Sequence, residues 1–143
     1  SNFTPPSGRN RIFIYKDITV IDDTYNANLL SAKSGINLLN NYPGNRKIAI
    51  IGDMLELGKY AISEHEKLGD YINQQQIDII ISIGVLTPHL ISKITSRKIE
   101  KHYFETMGKL NAFVRNLMVP GDIVYVKGSR SMLMDQIIKE NFS

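Results

Sequence analysis

Short runs of β-branched and aromatic residues alternate along the chain with longer stretches in which apolar residues recur at helical spacing. Three of the runs, "KIAIIGD", "DIIISIG" and "DIVYVKG", are almost continuously apolar. Continuous apolar runs are typical of strands that are covered on both faces, whereas strands of a sheet with one wet face alternate. The pattern therefore predicts a sheet enclosed between two layers of helices.

Two earlier runs, "RIFIY" and "ITVID", are separated only by Lys16 and Asp17. That spacing predicts a hairpin or a strand beside an antiparallel neighbour. The first of five helical stretches follows, with Asn28 as its predicted N-cap. This first helix is predicted to direct five apolar side chains inward: Leu29, Leu30, Ile36, Leu38 and Leu39. The other helices are predicted near residues 63–75, 87–95, 107–118 and 131–141, with "KHYFE" as a further strand between the third and fourth.

A strand followed by a helix, repeated five times, predicts an α/β fold. We expect a doubly wound, mostly parallel, Rossmann-like sheet with helices on both faces and an N-terminal antiparallel edge strand. In such sheets, ligands bind beyond the carboxyl ends of the strands, where "DDTYNAN", "GDMLELG" and "KGSRS" fall. Residues 11–143 are expected to form a single domain. Residues 1–10 are expected to be a tag remnant and an interdomain linker, which would make the chain a fragment.

Composition narrows the classes of function. The chain has 143 residues, of which 43% are hydrophobic, as is usual for one globular domain. Lys and Arg outnumber Asp and Glu by only 17 to 14 and are scattered, so nucleic-acid binding is not indicated. The absence of cysteine excludes disulfides and fits a cytoplasmic location. The longest apolar run, "IDIIISIGVL", is too short to span a bilayer, so no membrane association is expected.

The adjacent carboxylates Asp22 and Asp23 are the first candidate site, since they follow a strand directly and precede two asparagines. Carboxylates accept hydrogen bonds, and the pair could hold a cation or the hydroxyls of a ribose. The alternative is that one acid belongs to the turn after the strand and the other favours the start of the helix.

The other two clusters offer groups for small anions or amines. "GDMLELG" places Asp53 and Glu56 between glycines that permit close ligand approach, although it lacks the third glycine of a dinucleotide fingerprint. "KGSRS" places Lys127, Ser129 and Arg130 before a helix whose amides favour a carboxylate or phosphate. No G-x-x-x-x-G-K-[ST] motif occurs, so the chain cannot grip a triphosphate in the P-loop manner. The histidines lack the spacing of a metal site, and no metal ligands are assigned.

Four segments in series, "PPSGR", "IDDTYNAN", "IIGDMLELG" and "YVKGSRSMLMDQII", closely resemble the C-terminal domain of the Mur ligase family. The resemblance runs from about Arg9 to Phe142. "DDTYNAN" followed by "GDMLELG" and "KGSR" is similar to the branch that adds D-alanyl-D-alanine, because the branch adding a diamino acid has an aspartate-tyrosine-alanine-histidine type of sequence after the first strand.

The resemblance implies ATP-dependent amide-bond formation in peptidoglycan precursor synthesis. The carboxylate of UDP-N-acetylmuramoyl-tripeptide is phosphorylated to an acyl phosphate, which the amine of D-alanyl-D-alanine attacks. In such ligases a central domain carries the P-loop and the ligands of Mg²⁺, and an N-terminal domain holds the UDP-sugar. This chain would supply the third domain of a cytoplasmic, monomeric enzyme and would be inactive alone.

The resemblance also implies roles for individual residues. Arg9 would be catalytic and would stabilise charge on the γ-phosphate of ATP. Four residues would contact the nucleotide, with Asp23 at its ribose: Asp23, Tyr25, Asn26 and Asn28. Seven residues would line the site of D-alanyl-D-alanine: Asp53, Met54, Glu56, Leu57, Lys127, Ser129 and Arg130.

Two other classes of protein share parts of this pattern. A phosphoreceiver signalling domain also has an acidic pair after its first strand and a lysine after its last. Here, however, Ile83 and Gly84 stand where its phosphoacceptor aspartate should be, and Gly128 follows Lys127 in place of the usual proline. The second alternative is a stand-alone nucleotide-binding module, for which the complete glycine fingerprint is missing.

Overall fold

The computed structural model describes residues 11–25 and 27–143. Its strands are β1 (Arg11–Tyr15), β2 (Ile18–Asp23), β3 (Lys47–Gly52), β4 (Ile79–Ile83), β5 (Glu100–Phe104) and β6 (Ile123–Lys127). Its helices are α1 (Leu29–Asn41), α2 (Ala61–Asn73), α3 (Thr87–Ile91), α4 (Met107–Leu117) and α5 (Asp135–Asn141). Short 3₁₀ turns at Gly58–Tyr60 and Arg130–Met132 precede α2 and α5.

The six strands form one sheet in the order β1-β2-β6-β3-β4-β5. Every pair is parallel except β1 with β2, which are joined by a tight turn at Lys16 and Asp17. Both turn residues have positive φ, 47° and 63°, as the two-residue hairpin turn that matches strand twist requires. The predicted mostly parallel sheet with an antiparallel N-terminal edge strand is confirmed.

Alternate residues of the central strands pack into two separate hydrophobic cores on opposite faces of the sheet. Ala49 and Ile51 of β3 face a core closed by α1, α2 and α3, whereas Ile48 and Ile50 face a core closed by α4 and α5. All four side chains are fully buried. Helices therefore cover both faces, as the continuous apolar runs predicted.

Helix α1 differs in one respect from its prediction. Asn28 is its N-cap, and its Oδ1 accepts a hydrogen bond from the Ser31 amide at 2.9 Å. Leu30, however, is 78% exposed rather than inward. It lies six residues before the buried Ile36, which at about 100° per residue places it roughly 120° away around the helix.

Two other helices are shorter than predicted. Helix α3 ends at Ile91, and α5 begins at Asp135 instead of residue 131. Before α5, the 3₁₀ turn is followed by Leu133, whose backbone is left-handed with φ 57°. A left-handed residue cannot continue a right-handed helix, so the helix starts only after it.

Gly35 of α1 lets this helix lie against β6. A Cβ atom at this position would lie 1.9 Å from the hydroxyl oxygen of Tyr125, so only glycine leaves room for the tyrosine ring. Tyr125 is fully buried between α1 and the sheet, and its hydroxyl reaches the carboxyl end of β2. The packing of α1 therefore positions a polar group beneath the edge where ligands are expected.

Candidate functional site

Asp23 ends β2 and is held by two neighbours from β6. Its Oδ2 accepts a hydrogen bond from the Tyr125 hydroxyl at 2.8 Å and an ion pair from Lys127 Nζ at 2.9 Å. Lys127 is the register partner of Asp23 on the adjacent strand and is only 1% exposed. The sequence assigned these two residues to different ligands, and the structure joins them to each other.

Burial shapes the proton affinity of both partners of Asp23. Burial raises the pKa of Tyr125 well above its usual value, and the negative charge of Asp23 and its hydrogen bond add to this effect. Burial lowers the pKa of Lys127, while the hydrogen bond and charge of Asp23 oppose that lowering. The carboxylate is thus the group that makes a buried ammonium tolerable here.

Asp22, the other acid of the pair, belongs to the turn after β2. Its Oδ1 accepts hydrogen bonds from the Thr24 hydroxyl at 2.7 Å and the Thr24 amide at 3.2 Å. Its Oδ2 pairs with Arg11 at 3.1 Å. The two adjacent acids therefore have separate partners, and Asp22 follows the structural alternative that the sequence left open.

Asp53 organises a neighbouring loop. Its carboxylate accepts backbone hydrogen bonds from Val85, Leu86 and Thr87, at 2.9, 3.0 and 2.9 Å, where the chain enters α3. Gly84 has φ 131°, and a Cβ there would lie 2.2 Å from Asp53 Oδ1. Asp53 is only 2% exposed, so its carboxylate serves the turn after β4 rather than an open surface.

Three hydrogen bonds hold the "GDMLELG" segment in place. The Met54 side chain is fully buried, and its amide donates to Nε2 of His65 at 3.0 Å. Nδ1 of His65 lies 2.6 Å from the Ala61 carbonyl, so the neutral ring with its proton on Nδ1 satisfies both contacts. The Leu55 amide donates to Ser129 Oγ at 2.7 Å, and the Ser129 amide donates to the Asp53 carbonyl at 3.2 Å. Asp53 and Met54 thus support the loop from inside.

The exposed parts of all three clusters line one groove of about 650 Å³. Six of its residues were predicted as site residues: Tyr25, Asn28, Glu56, Leu57, Ser129 and Arg130. Four further lining residues were not predicted: Ala27, Leu55, Ser131 and Leu133. Asp23, Asp53, Met54 and Lys127 are absent from this lining.

The groove is lined by side chains of opposite charge and by apolar side chains. The guanidinium of Arg130 lies 5.2 Å from the centre of the Tyr25 ring, a cation–π distance. Arg130 and Glu56 are both exposed and are the charged residues among those that line the groove. Leu55, Leu57 and Leu133 add apolar surface. Such a lining suits a small ligand with a carboxylate, an ammonium group and apolar side chains.

Two predicted site residues, Arg9 and Asn26, lie outside the described residues. So does the expected tag remnant and linker at residues 1–10. Within residues 11–25 and 27–143, no group of three or more His, Cys, Asp or Glu side chains is placed to hold a metal ion. Within the same ranges, no helix has the length and apolar character needed to cross a membrane.

Comparison with known proteins decides the family. The model of the family described as "Mur ligase, glutamate ligase domain" matches residues 8–130. The chain belongs to the Mur ligase family. This membership confirms the resemblance seen in the sequence and sets aside the phosphoreceiver alternative.

Two relatives of this Mur ligase domain carry the same name. The UDP-N-acetylmuramoyl-tripeptide–D-alanyl-D-alanine ligase of Rickettsia prowazekii is 31% identical over 131 residues, covering 92% of this chain. That of Buchnera aphidicola from Baizongia pistaciae is 36% identical over 140 residues, covering 94%. The Mur ligase domain spans only 29% of the length of each relative.

Solved structures agree with this Mur ligase assignment. A MurF ligase from Thermotoga maritima in complex with ADP is 27% identical and superposes with a TM-score of 0.78 over 97% of this chain and 31% of that one. A MurF structure from Acinetobacter baumannii, 26% identical, gives a TM-score of 0.84 over 97% and 31%. The Rossmann-like arrangement predicted for the domain is therefore the arrangement of its family.

Proposed function

We propose that this Mur ligase domain forms part of an enzyme that joins D-alanyl-D-alanine to UDP-N-acetylmuramoyl-tripeptide, with ATP as the source of energy. The groove bounded by Glu56, Arg130 and Leu133 would receive D-alanyl-D-alanine. The enzyme would act in the cytoplasm as a monomer. Its central and N-terminal domains would bind the UDP-sugar, Mg²⁺ and most of ATP.

The lining of the groove is the observation that carries this proposal. D-Alanyl-D-alanine has one carboxylate, one amine and two methyl groups. Arg130 offers a guanidinium for the carboxylate, and Glu56 offers a carboxylate for the amine while it is protonated. Leu57 and the neighbouring leucines offer apolar contacts for the methyl groups. The names of the relatives support the same substrate.

Arg130 suits the dipeptide carboxylate better than Lys127 does. Arg130 is exposed in the groove, whereas Lys127 is buried and its Nζ is bonded to Asp23. We therefore assign Lys127 to the support of Asp23. Ser129 keeps a double role, because it lines the groove while its Oγ holds the Leu55 amide.

Asp23 would accept a hydrogen bond from the ribose of ATP. Tyr125 and Lys127 occupy two of the roughly four lone-pair sites of its carboxylate, which fixes the orientation of the group. Its side chain is 12% exposed, so part of it faces outward. Tyr25 and Asn28 line the adjoining groove, and Asn26 and Arg9 would complete the contacts with the nucleotide and its γ-phosphate.

The proposed reaction needs positioning more than proton chemistry from this domain. The amine of D-alanyl-D-alanine attacks the acyl phosphate, the new C–N bond forms, phosphate leaves, and the amine loses a proton. Holding the dipeptide at its carboxylate and methyl groups presents the amine to the acyl phosphate in one orientation. As the family resemblance implies, we assign the binding of Mg²⁺ to the central domain.

Phosphate release by the full-length protein tests the proposal. We expect release that depends on both UDP-N-acetylmuramoyl-tripeptide and D-alanyl-D-alanine, with the amide product seen by mass spectrometry. The 143-residue chain alone should release no phosphate above a control without protein, because most groups that act on ATP lie elsewhere. Release that requires no dipeptide would refute the assignment, and turnover by the chain alone would show a stand-alone enzyme.

A further inference from the structure

Two residues of the groove, Glu56 and Leu133, have left-handed backbones with φ 64° and 57°. In the described ranges, only Lys16 and Asp17 share this feature among residues other than glycine. Lys16 and Asp17 form the β1–β2 hairpin turn, whose geometry demands positive φ. The two left-handed residues outside that turn therefore both lie at the candidate site.

The backbone shape at Leu133 has a structural reason. Its amide donates to the Arg130 carbonyl at 3.1 Å and closes the 3₁₀ turn. The following residue, Met134, is fully buried against the ends of β3 and β6. A Cβ at Gly52 would lie 2.7 Å from Met134 Sδ, and one at Gly128 would lie 2.3 Å from Met134 Cγ. The left-handed residue thus directs Met134 into the space that two glycines leave.

The packing of Met134 requires the conformation of residue 133 but not its leucine side chain. Glycine adopts positive φ without steric cost, whereas leucine in this region is strained. The Leu133 side chain is 53% exposed, so it gains little from burial in the domain. Strained residues that the fold does not need cluster at functional sites. Leu133 lines the groove, as Leu55 and Leu57 do.

We propose that Leu133 determines specificity for the amino substrate, by contacting a methyl group of D-alanyl-D-alanine with the apolar wall it shares with Leu55 and Leu57. This inference rests on the function proposed above. Arg130 and Glu56 recognise charges that every dipeptide carries, so they cannot distinguish one side chain from another. Discrimination against a dipeptide without methyl groups must come from apolar contact, and Leu133 is the most exposed of the three leucines.

The test compares D-alanyl-D-alanine with glycylglycine in the full-length enzyme. Leu133→Ala removes the contact and keeps the strain, whereas Leu133→Gly removes both. We expect both variants to lower the ratio of kcat/KM for D-alanyl-D-alanine to that for glycylglycine by about ten-fold, as loss of one apolar contact of this size implies. We also expect the 143-residue chain with Leu133→Gly to melt no lower than wild type, because the relieved strain offsets the added chain entropy.

Asp17→Gly is the matched control. It removes the backbone strain of a left-handed residue with φ 63°, in a turn at the opposite end of β2 from the groove. Like Leu133→Gly, it should melt no lower than wild type, while the ratio of kcat/KM for the two dipeptides stays at the wild-type value.

The possible results separate this inference from the proposed function. A wild-type ratio in both Leu133 variants, with D-alanyl-D-alanine still ligated, overturns the inference alone. An equal fall in kcat/KM for both dipeptides also overturns it and places Leu133 against a neighbouring domain. A wild-type enzyme that ligates no D-alanyl-D-alanine overturns the proposed function and this inference with it. A Leu133→Gly chain that melts well below wild type would show that the leucine serves the fold.

Discussion

Lys127 Nζ lies 2.9 Å from Asp23 Oδ2, across the paired ends of two parallel strands that are far apart in sequence. The ammonium is almost wholly buried, so the carboxylate is its main source of stabilisation. Substitution at either position therefore affects the fold as well as any ligand. This coupling decides how mutations of the site must be interpreted.

Asp23→Ala should destabilise the domain by about 3–5 kcal/mol, because it leaves a buried ammonium without its partner. Lys127→Met should cost less, since Met fills the same volume and Asp23 retains Tyr125 and some solvent. The double variant should be more stable than the sum of the two single losses implies. Urea unfolding of all four proteins measures this coupling. Strict additivity of the two losses would contradict the ion pair.

In the full-length enzyme, Lys127→Met and Arg130→Met should affect different substrates. Arg130→Met should raise the KM for D-alanyl-D-alanine by about ten- to hundred-fold, which is the effect of one lost charge-assisted hydrogen bond. Lys127→Met should act through Asp23 and raise the KM for ATP more than that for the dipeptide. Steady-state kinetics with each substrate varied in turn provides the measurement. The reverse pattern would show that Lys127, and not Arg130, binds the carboxylate of D-alanyl-D-alanine.

Tyr125 should remain un-ionised above pH 10 in the folded chain, because burial and Asp23 raise its pKa. In the unfolded chain, this phenol ionises near its usual pKa of about 10. The folded state therefore loses stability from this group as the pH rises through 10. Absorbance titration near 295 nm should show one late-ionising tyrosine that is missing in Tyr125→Phe.

The contribution of Lys127 to stability changes with pH in the opposite direction. Its pKa is lowered in the folded chain, chiefly by burial, so the unfavourable effect of this group on folding weakens as the pH approaches its unfolded pKa of about 10.4. Comparing wild type with Tyr125→Phe isolates the tyrosine, because both proteins keep Lys127. A full set of normally titrating tyrosines in wild type would refute the buried hydrogen bond.

Gly35→Ala and Gly108→Ala should change the free energy of unfolding in opposite directions. At Gly35 the new methyl group would meet the Tyr125 ring, so we expect a loss of about 1–3 kcal/mol despite the better helix propensity of alanine. At Gly108 in α4 nothing lies within 4 Å of the new atom, and we expect a gain of up to about 1 kcal/mol. Chemical denaturation compares them, and a stable Gly35→Ala chain would show that α1 can move away from β6.

Much of the fold could be predicted because its signals are local. Among the described residues, runs rich in β-branched and aromatic side chains identified every strand, and the turn at Lys16 and Asp17 predicted the antiparallel edge. Asn28 was recognisable as a cap because an amide side chain before an apolar helix has a local role. The family resemblance then added the branch, which helical periodicity could not have supplied.

The sequence could not predict in this way which of the candidate site residues bind one another and which line the groove. Asp23 and Lys127 are 104 residues apart, and only the strand order makes them neighbours. Asp53 resembled a ligand because it follows a strand between two glycines, yet it binds the amides of the next loop. Leu133 was missed because nothing local distinguishes it from a helical leucine. Its left-handed backbone results from the packing of Met134.

Ser129 holds the segment after β3 to the segment after β6, through its hydroxyl and its amide. Two walls of the groove are thereby a single mechanical unit, with His65 fastening the same unit to α2. Little conformational entropy is then lost when a ligand orders these walls, since they are already preorganised. Any hinge motion of the domain would therefore carry both segments together, and Glu56 and Arg130 with them.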